Sequence, residues 1–233
     1  MGFNIGSGIL AAYPDVKIGV LVCREVKVYG ANSHLEDLKG RVVMETVEKI
    51  GSEPVTKIPF ISSWREMYRS FGTKPGDYRP SAEALLRRTV KRRALPRINT
   101  AVDAYNTMSI RHMIPMGGFD LDRIQGGISL RFSPGGEGFL PLGASEMEET
   151  YEGEPVYADE ARVLTRRWNY RDCDETKITL ETRNMVMFVD GSGEMSRGSV
   201  EDALQDLSGL LRDVCGGDYS TMITGVENAS LPF

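Results

Sequence analysis

The side chains best suited to binding or catalysis lie in the stretch 95–131. A helical pattern there carries three hydrogen-bonding side chains, Asn99, Asp103 and Asn106, and the pattern stops shortly before the pair Gly117-Gly118. Amide and carboxylate side chains at such a corner hold it by capping hydrogen bonds to nearby backbone groups. On pattern alone, the stretch predicts a polar turn, with the glycines in it, in an α+β domain.

A second concentration of chemistry is a run of positive charge on a predicted helix that begins at Ser81. Its members are Arg87, Arg88, Lys91, Arg92, Arg93 and Arg97. The whole chain is acidic, with 28 Lys and Arg against 33 Asp and Glu and a net charge of -5, so this run reverses the local sign. Such a reversal predicts contact with phosphate groups. A solvated helix face is the alternative.

Composition and length exclude several classes of protein. A chain of 233 residues fits one large domain or two small ones and can bury a core. Its acidity disfavours non-specific nucleic-acid binding but leaves room for a local basic patch. Cys23, Cys173 and Cys215 are odd in number and lack CxxC spacing, which favours a reducing compartment over disulfides or zinc. With no charged-then-apolar leader and no membrane-length apolar run, a cytoplasmic protein without metal or cofactor is expected.

Periodicity predicts the elements that must position these residues. Capping patterns place helices after Ser33, Ser63, Ser81 and Ser199. Strands are predicted over residues 17–28, 127–132, 139–143, 155–159, 176–182 and 185–189. Residues 1–13 are glycine-rich and predicted to form a loose arm, and nothing after the last helix is strongly patterned. No repeat or low-complexity linker divides the chain, so a single domain over residues 1–233 is expected.

An ordered series of short motifs carries a family resemblance. The motifs are Ile98-Asn99-x-x-Val102-Asp103-x-x-Asn106, Pro115–Asp120, Gly126-Gly127-Ile128-x-x-Arg131, Gly136-Glu137, Leu142-Gly143, Val156–Asp159 and Thr176-x-Ile178-x-Leu180-Glu181-Thr182. In this order they resemble the B3/B4 domain, the editing module of the bacterial phenylalanyl-tRNA synthetase β subunit. The best-matched core is residues 95–189, and the flanks look like those of stand-alone B3/B4 proteins. The resemblance implies an α+β fold: a β-sandwich-like, mostly antiparallel core with helices around it.

The resemblance also implies a reaction. The synthetase member hydrolyses tyrosine wrongly attached to the phenylalanine tRNA, and stand-alone members resemble deacylases that act on a mischarged tRNA after its release. An aminoacyl ester is already activated, so such a site needs no strong nucleophile. It must hold the tRNA 3′ end, place a water molecule and stabilise the oxyanion with preorganised donors.

Site residues carry over one at a time. Glu181 matches the family glutamate that recognises the polar end of the mischarged side chain, and strand alternation would point it away from Ile178 and Leu180, towards a cavity. A carboxylate there would select a hydroxyl, an ammonium or a guanidinium group. Three residues of the first motif match family positions that lie near the pocket: Asn99, Asp103 and Asn106. They either bind the substrate or only hold the corner by capping hydrogen bonds.

Two departures stand at editing-site positions of the synthetase. Gly117 replaces the histidine of the family's PxHAFD motif, and Tyr105 replaces the threonine of VDxTN. The tyrosine-specific site therefore should not be copied to this chain. Backbone N–H groups of Gly117 and Gly118 could donate to the ester oxygen, or glycine is needed there only for a turn with positive φ. Tyr105 fills part of the pocket or belongs to the core.

One charged and aromatic segment has no counterpart in the synthetase pattern. It contains Arg167, Trp168, Asn169, Arg171 and Asp172. A tryptophan between arginines would stack the terminal adenine or line the amino-acid pocket. An ion-pair network around a packed indole is the structural alternative.

The sequence leads to two functional hypotheses. The first is a trans-editing hydrolase that deacylates a mischarged aminoacyl-tRNA, with aminoacyl-tRNA as its partner. In that hypothesis Gly117, Gly118 and Asn106 are catalytic and Glu181 reads the side chain. The alternative is a non-catalytic protein that binds a free amino acid or another small ligand, or a tRNA-binding module.

Overall fold

The computed structural model describes all 233 residues. Six α-helices are formed: α1 (Ser7–Ala12), α2 (Ser33–Ile50), α3 (Pro59–Ser70), α4 (Ser81–Arg92), α5 (Thr100–His112) and α6 (Arg197–Cys215). The strands are β1 (Gly2–Ile5), β2 (Lys17–Arg24), β3 (Met116–Asp120), β4 (Ile128–Pro134), β5 (Gly138–Phe139), β6 (Glu148–Glu149), β7 (Glu152–Ala158), β8 (Val163–Arg166), β9 (Arg171–Asp172), β10 (Met185–Gly191), β11 (Asp218–Thr224) and β12 (Ser230–Pro232). No helix is both long enough and apolar enough to cross a membrane.

Two sheets and a helical layer make up the α+β architecture. One sheet has the strand order β12-β1-β4-β7-β8-β9 and the other the order β11-β2-β10-β3, while β5 and β6 form a separate pair. Neighbouring strands run antiparallel except for the parallel pair β1 and β4. The largest apolar cluster contains Phe3 and Leu130 from the first sheet together with Val20 and Phe188 from the second, so the sheets pack as a sandwich. The predicted sandwich-like core with surrounding helices is confirmed.

The two central strands of the four-stranded sheet, β2 and β10, are buried on both faces because successive residues alternate between two apolar layers. Val20 and Phe188 face the other sheet, whereas Leu21 and Met187 belong to a second cluster with α5 and α6. Such strands have near-continuous apolar sequences. This explains why β2 and β10 were predicted from their composition.

The predicted turn at Gly117-Gly118 is wrong, because both glycines lie in β3, an edge strand paired with β10. The N–H of Asp190 donates to the carbonyl of Pro115. By antiparallel alternation, Gly117 and Phe188 then form a hydrogen-bonded pair. Gly118 sits in the closer, non-hydrogen-bonded pair with Met187, where strands approach tightly. Glycine is therefore needed for this approach and not for a positive φ.

Helix starts confirm some of the capping predictions and correct others. Asn99 is the N-cap of α5, and its Oδ1 accepts from the N–H of Val102 at 2.9 Å. The N-cap of α2 is Asn32 and that of α6 is Ser196, one and three residues before the serines predicted for these roles. α3 begins at Pro59, four residues before the predicted cap Ser63, because proline favours the first turn of a helix.

Two further predictions are wrong for reasons that lie far away in the sequence. Residues 1–13 are not a loose arm, since β1 pairs with both β12 and β4. The predicted strand over residues 176–182 is a loop that ends in a turn, and Leu180 is 49% exposed. An alternating pattern makes a strand only where a partner strand is available. Here β3, the nearest edge strand, donates one backbone hydrogen bond to this loop, from the N–H of Asp120 to the carbonyl of Thr176.

The two neighbouring glycines of β3 give a matched test of this geometry. A Cβ on residue 118 would lie 2.5 Å from the sulfur of Met187 and 2.6 Å from the carbonyl oxygen of Val186. We expect Gly118→Ala to lower the free energy of unfolding by about 2 kcal/mol, the scale of overpacking. Gly117→Ala should be neutral or slightly stabilising, because its Cβ would meet only Asp172 Oδ2 at 3.6 Å.

Urea denaturation of the two variants and the parent protein measures the difference. Equal stability of Gly118→Ala and Gly117→Ala would contradict the assigned strand pairing.

Candidate functional site

A cavity of about 290 Å³ lies beside β3. One wall is a face of α4, on which residues 81, 84, 85 and 88 follow one another at helical spacing. α5 contributes Asn106 and Ser109, and the segment 168–172 closes the opposite side. The site is therefore built where the helical layer, the edge of one sheet and a loop of the other meet.

Two aspartates are the chemically distinctive groups of this cavity. Asp190 lies in β10 and is 4% exposed, and Asp172 lies in β9. Burial raises the pKa of Asp190 to about 7, while hydrogen bonds from Tyr157 and Asn169 oppose the shift and the charge of Asp172 adds to it. Burial likewise raises the pKa of Asp172 to about 6, opposed by a hydrogen bond from Thr165. Carboxyl groups with pKa values near neutrality can accept or release a proton at physiological pH.

Asp190 is held by a chain of buried hydrogen bonds. The hydroxyl of Tyr157 donates to its Oδ1 at 2.6 Å, and the side-chain amide of Asn169 donates to its Oδ2 at 3.2 Å. The hydroxyl of Tyr68 in turn donates to Oδ1 of Asn169 at 2.9 Å. This last bond fixes which end of the Asn169 amide faces the carboxyl group. The orientation of Asp190 is thus set by groups from β7, α3 and the segment before β9.

Asp172 is held at one oxygen. The hydroxyl of Thr165 donates to Oδ1 at 2.6 Å, and the structure records no hydrogen bond to Oδ2. That second oxygen points towards Gly117, where a Cβ would be only 3.6 Å away. Glycine at 117 therefore leaves room in front of a carboxylate oxygen that is free to bind a ligand.

The rim of the cavity carries positive charge. Arg88 and Arg171 both line it, and neither takes part in an ion pair within 4 Å. Lys91 and Arg92 follow Arg88 by three and four residues on α4 and are exposed. Their spacing extends the charge from the rim along one side of the helix. An anionic group entering the cavity would meet these cations first.

Comparison with known proteins decides the family. The model described as "B3/4 domain" matches residues 63–216. The chain belongs to the B3/4 domain family. Among curated relatives, the phenylalanine–tRNA ligase β subunit of Chromobacterium violaceum is 38% identical over 175 residues, covering 64% of this chain and 21% of that subunit. The corresponding subunit of Vibrio parahaemolyticus is 27% identical over 167 residues, covering 61% of this chain and 20% of that subunit.

This B3/4 protein thus spans about a fifth of the length of the curated relatives it matches and is a domain related to that part of the synthetase subunit. A solved N-terminal fragment of the phenylalanyl-tRNA synthetase β subunit from Pyrococcus horikoshii aligns with 95% of this chain and 53% of that chain. Its TM-score is 0.46 at 16% identity.

The cavity of the B3/4 domain gathers part of the predicted site. Its lining includes Arg88, Asn106, Gly117, Trp168, Asn169 and Arg171. Asn106 has no side-chain hydrogen bond within the protein, so its amide is free to bind a ligand. Trp168 is fully enclosed and packs edge-on against Trp64, with ring centroids 5.4 Å apart. Its ring lines the cavity but is 0% exposed, so it has no open face on which an adenine could stack.

Glu181 lies outside the cavity. It stands in the exposed turn after residue 178, where the hydroxyl of Thr179 donates to its Oε2 at 2.7 Å. That hydrogen bond lowers the pKa of the Glu181 carboxyl group. The motif match therefore did not carry the orientation, because the strand that would have turned Glu181 inward does not form.

The first predicted motif is mostly structural. The side chain of Asn99 caps α5 and also donates to the carbonyl of Ile178 at 3.1 Å. Asp103 is buried, pairs with Lys39 at 2.8 Å and accepts from the N–H of Ile98 at 2.9 Å. Tyr105 packs against the apolar cluster of the helical layer, and burial raises the pKa of its hydroxyl. None of these three lines the cavity.

The predicted glycine donors are constrained by the strand. The N–H of Gly117 is committed to β10 by the alternation described above, so it is not available to an oxyanion. Gly118 does not line the cavity, and its N–H lies at the outer edge of β3. Among the predicted catalytic residues, Asn106 is the one with a free donor at the cavity.

Part of the predicted basic surface is already neutralised by ion pairs. Arg87 pairs with the fully buried Glu83 at 2.9 Å, and Arg65 binds the same carboxylate at 2.8 Å. Arg92 and Arg93 are exposed, and Arg93 ends α4 in a left-handed conformation. Arg97 pairs with Glu36 at 3.2 Å, so the free part of the cluster is Arg88, Lys91, Arg92 and Arg93.

Sequence reasoning missed the aspartate pair. The sequence predicts no role for Asp190, which directly follows the predicted strand 185–189, and it places Asp172 only in the charged and aromatic segment. The available signal for Asp190 was its position directly after five apolar residues, Met185–Val189, which puts a carboxyl group in a buried strand. Which other acid it would face depended on β9, a strand of two residues that no periodicity predicts.

The raised pKa of Asp190 predicts a specific dependence of stability on pH. In the unfolded chain an aspartate titrates near a pKa of about 3.9. Between that value and about 7 the folded protein keeps a proton that the unfolded chain has released, so the free energy of unfolding falls as pH rises. We expect Asp190→Asn to reduce this fall, by up to about 1.4 kcal/mol per pH unit.

Denaturation at pH 5.0, 6.0, 7.0 and 7.5 measures the two slopes. In this range the carboxyl groups with lowered pKa values, Glu36, Glu137 and Asp174, stay ionised and do not contribute. Parallel curves for the parent and Asp190→Asn would show that Asp190 does not titrate in this window.

Proposed function

We propose that this B3/4 protein hydrolyses the ester bond of a mischarged aminoacyl-tRNA. The observation that carries the proposal is a cavity of about 290 Å³ that holds the buried carboxyl group of Asp190 and the partly buried carboxyl group of Asp172, with unpaired arginines at its rim. The rim is suited to the phosphates of the tRNA 3′ end, and the interior to the amino acid. The likeness to part of a phenylalanine–tRNA ligase subunit supports the same substrate class.

The reaction needs a proton acceptor and an oxyanion donor. A water molecule beside the Asp172–Asp190 pair would lose a proton to the pair as it attacks the ester carbon, since general bases work best with a pKa near the operating pH. The side-chain amide of Asn106 donates to the oxyanion that forms. When the carbon–oxygen bond breaks, the proton returns to the ribose oxygen, and the free amino acid and uncharged tRNA leave.

The acids also bear on which amino acid is accepted. A wholly apolar side chain would leave Oδ2 of Asp172, which accepts no hydrogen bond within the protein, without a partner, and this costs free energy. The α-ammonium group, or a side chain that ends in a hydrogen-bond donor or a cation, supplies that partner. We therefore propose that Asp172 and Asp190, and not Glu181, recognise the polar groups of the amino acid.

A binder of free amino acids is the second candidate. Its support is that a zwitterion is bound by an anionic and a cationic group in one cavity, and Asp172 and Arg88 both line this one. The two candidates differ in what calorimetry and hydrolysis show. A binder gives heat with a free amino acid and no hydrolysis of any charged tRNA, whereas a deacylase turns over the ester.

Deacylation of a panel of charged tRNAs tests the proposed reaction. We expect hydrolysis above the buffer rate for a subset of mischarged tRNAs. Asp190→Asn should lower kcat about 100-fold, the usual scale of general acid–base catalysis. Glu181→Ala is the matched control: it removes a carboxylate outside the cavity and should leave both the rate and the substrate profile unchanged.

Absence of hydrolysis on every charged tRNA would reject catalysis. Full activity of Asp190→Asn would reject the role of the aspartate pair, and a changed profile for Glu181→Ala would restore the original assignment.

Binding of uncharged tRNA tests the basic rim. Arg88→Ala should weaken binding and lower the dependence of log Kd on log salt concentration by about 1, as expected when one phosphate contact is lost. The control is Arg197→Ala, because Arg197 is an exposed helix arginine already paired with Glu201 at 2.9 Å. Fluorescence anisotropy between roughly 50 and 300 mM KCl, a range over which phosphate contacts strongly affect affinity, gives the slopes. Identical slopes for Arg88→Ala and the parent protein would argue against a phosphate contact.

A further inference from the structure

Two tyrosines form an aromatic corner next to the cavity. Tyr170 lines the cavity, and Tyr78 stands beside it in the loop that leads into α4. Their ring centroids are 5.3 Å apart and the ring planes are nearly perpendicular, at 86°. The side chain of Tyr78 is 38% exposed. The corner therefore presents aromatic surface to solvent at the edge of the site.

A buried guanidinium lies behind this corner. Arg167 is 7% exposed, and its Cζ is 3.8 Å from the ring centroid of Tyr78 and 5.4 Å from that of Tyr170. Its Nε and Nη1 atoms are buried without a hydrogen-bond partner. A buried cation of this kind is costly, and aromatic faces offset part of the cost. Arg167 covers the inner face of Tyr78, so the exposed part of the ring is its outer side.

The position of the cation also changes the exposed ring. A cation on one face of an aromatic ring draws π-electron density towards itself. The outer side of Tyr78 is then poorer in electrons and suits stacking with an electron-rich purine. Stacking on an aromatic side chain is a common way of holding a base in single-stranded RNA.

The corner lies where a terminal base would be needed. The backbone N–H of Ser81, the first residue of α4, donates to the carbonyl of Asn169 at 3.1 Å, which ties the start of α4 to the cavity segment. Tyr78 precedes this tie by three residues, and Arg88 follows it by two helical turns on the same cavity wall. In an aminoacyl-tRNA the ester and the terminal base are attached to one ribose, so the base must sit at the mouth that admits the amino acid.

We propose that Tyr78, backed by Arg167 and flanked by Tyr170, stacks the base of the nucleotide that carries the ester. This inference rests on the proposed function and adds to it a positioning residue outside the cavity. The stacked base orients the ribose, and Arg88 and Arg171 hold the adjoining phosphates. The amino acid then projects towards Asp172 and Asp190.

A short single-stranded RNA that ends in CCA, uncharged, tests the stacking site without requiring catalysis. Its partner in the test is the same RNA with an abasic 3′-terminal nucleotide. Wild-type protein should bind the intact RNA about ten-fold more tightly than the abasic RNA, the scale of one stacked base. Tyr78→Leu should bind both RNAs equally, whereas Tyr78→Phe should keep the preference, because phenylalanine retains the ring.

Tyr29 offers a matched control. It is 43% exposed and has the ammonium group of Lys27 5.3 Å from its ring centroid, but it lies away from the cavity. Tyr29→Leu should therefore keep the preference for the intact RNA. A 2-aminopurine at the 3′ end gives a second readout: its fluorescence should be quenched by the parent protein and by Tyr78→Phe, and not by Tyr78→Leu. Thermal melting checks that each variant is folded.

The outcomes separate this inference from the proposed function. Equal binding of intact and abasic RNA by the parent protein overturns the stacking site, and so does failure to bind either RNA. An unchanged preference in Tyr78→Leu overturns it as well. If the preference depends on Tyr78 but no charged tRNA is hydrolysed, the stacking site stands and catalysis does not. If esters are hydrolysed but the preference for intact RNA does not depend on Tyr78, catalysis stands and the stacking site does not.

Discussion

The enclosure of the carboxyl groups of Asp172 and Asp190 in one cavity is the constraint on which the site depends. Two carboxyl groups in one enclosed space cannot both ionise easily, and each needs hydrogen-bond donors to remain there. Those donors come from Tyr157, Thr165 and Asn169, which lie in or next to strands of the six-stranded sheet. Asp190 itself belongs to the other sheet. The cavity therefore exists only when the two sheets and the segment before β9 are assembled together.

The close pairing of β3 with β10 sets the room available to that chemistry. Gly118 lets the two strands approach, and Gly117 leaves the free oxygen of Asp172 facing open space. A histidine at position 117, as in the synthetase pattern, would enter this space. Glycine at this position of β3 instead leaves open access to a carboxyl group on β9. Under the proposed function, the polar group that meets the substrate therefore comes from a different strand.

Sequence could predict features whose causes are local. Asn99 caps α5 because its side chain reaches three residues along the chain, and β2 is recognisable because both its faces are buried. It could not predict features whose causes are distant. The glycines of β3 read as a bend because their partner strand lies some seventy residues away. The motif around Glu181 matched a strand, but no neighbouring strand is available to pair with it, and the side chain is exposed to solvent. Asp172 and Asp190 could be recognised as site residues only from the fold, which brings both to one cavity.

The pairing of β1 with β12 has a consequence for how the fold can be connected to other polypeptide. Gly2 stands opposite Pro232 in the register, and the N–H of Phe233 donates to the carbonyl of Met1 at 3.1 Å. Both termini leave the molecule side by side, at the edge of the sheet remote from the cavity strand β9. Polypeptide joined to both termini would approach the domain at this one edge and would leave the opposite edge undisturbed. The same architecture is therefore compatible with an isolated domain and with insertion into a longer protein.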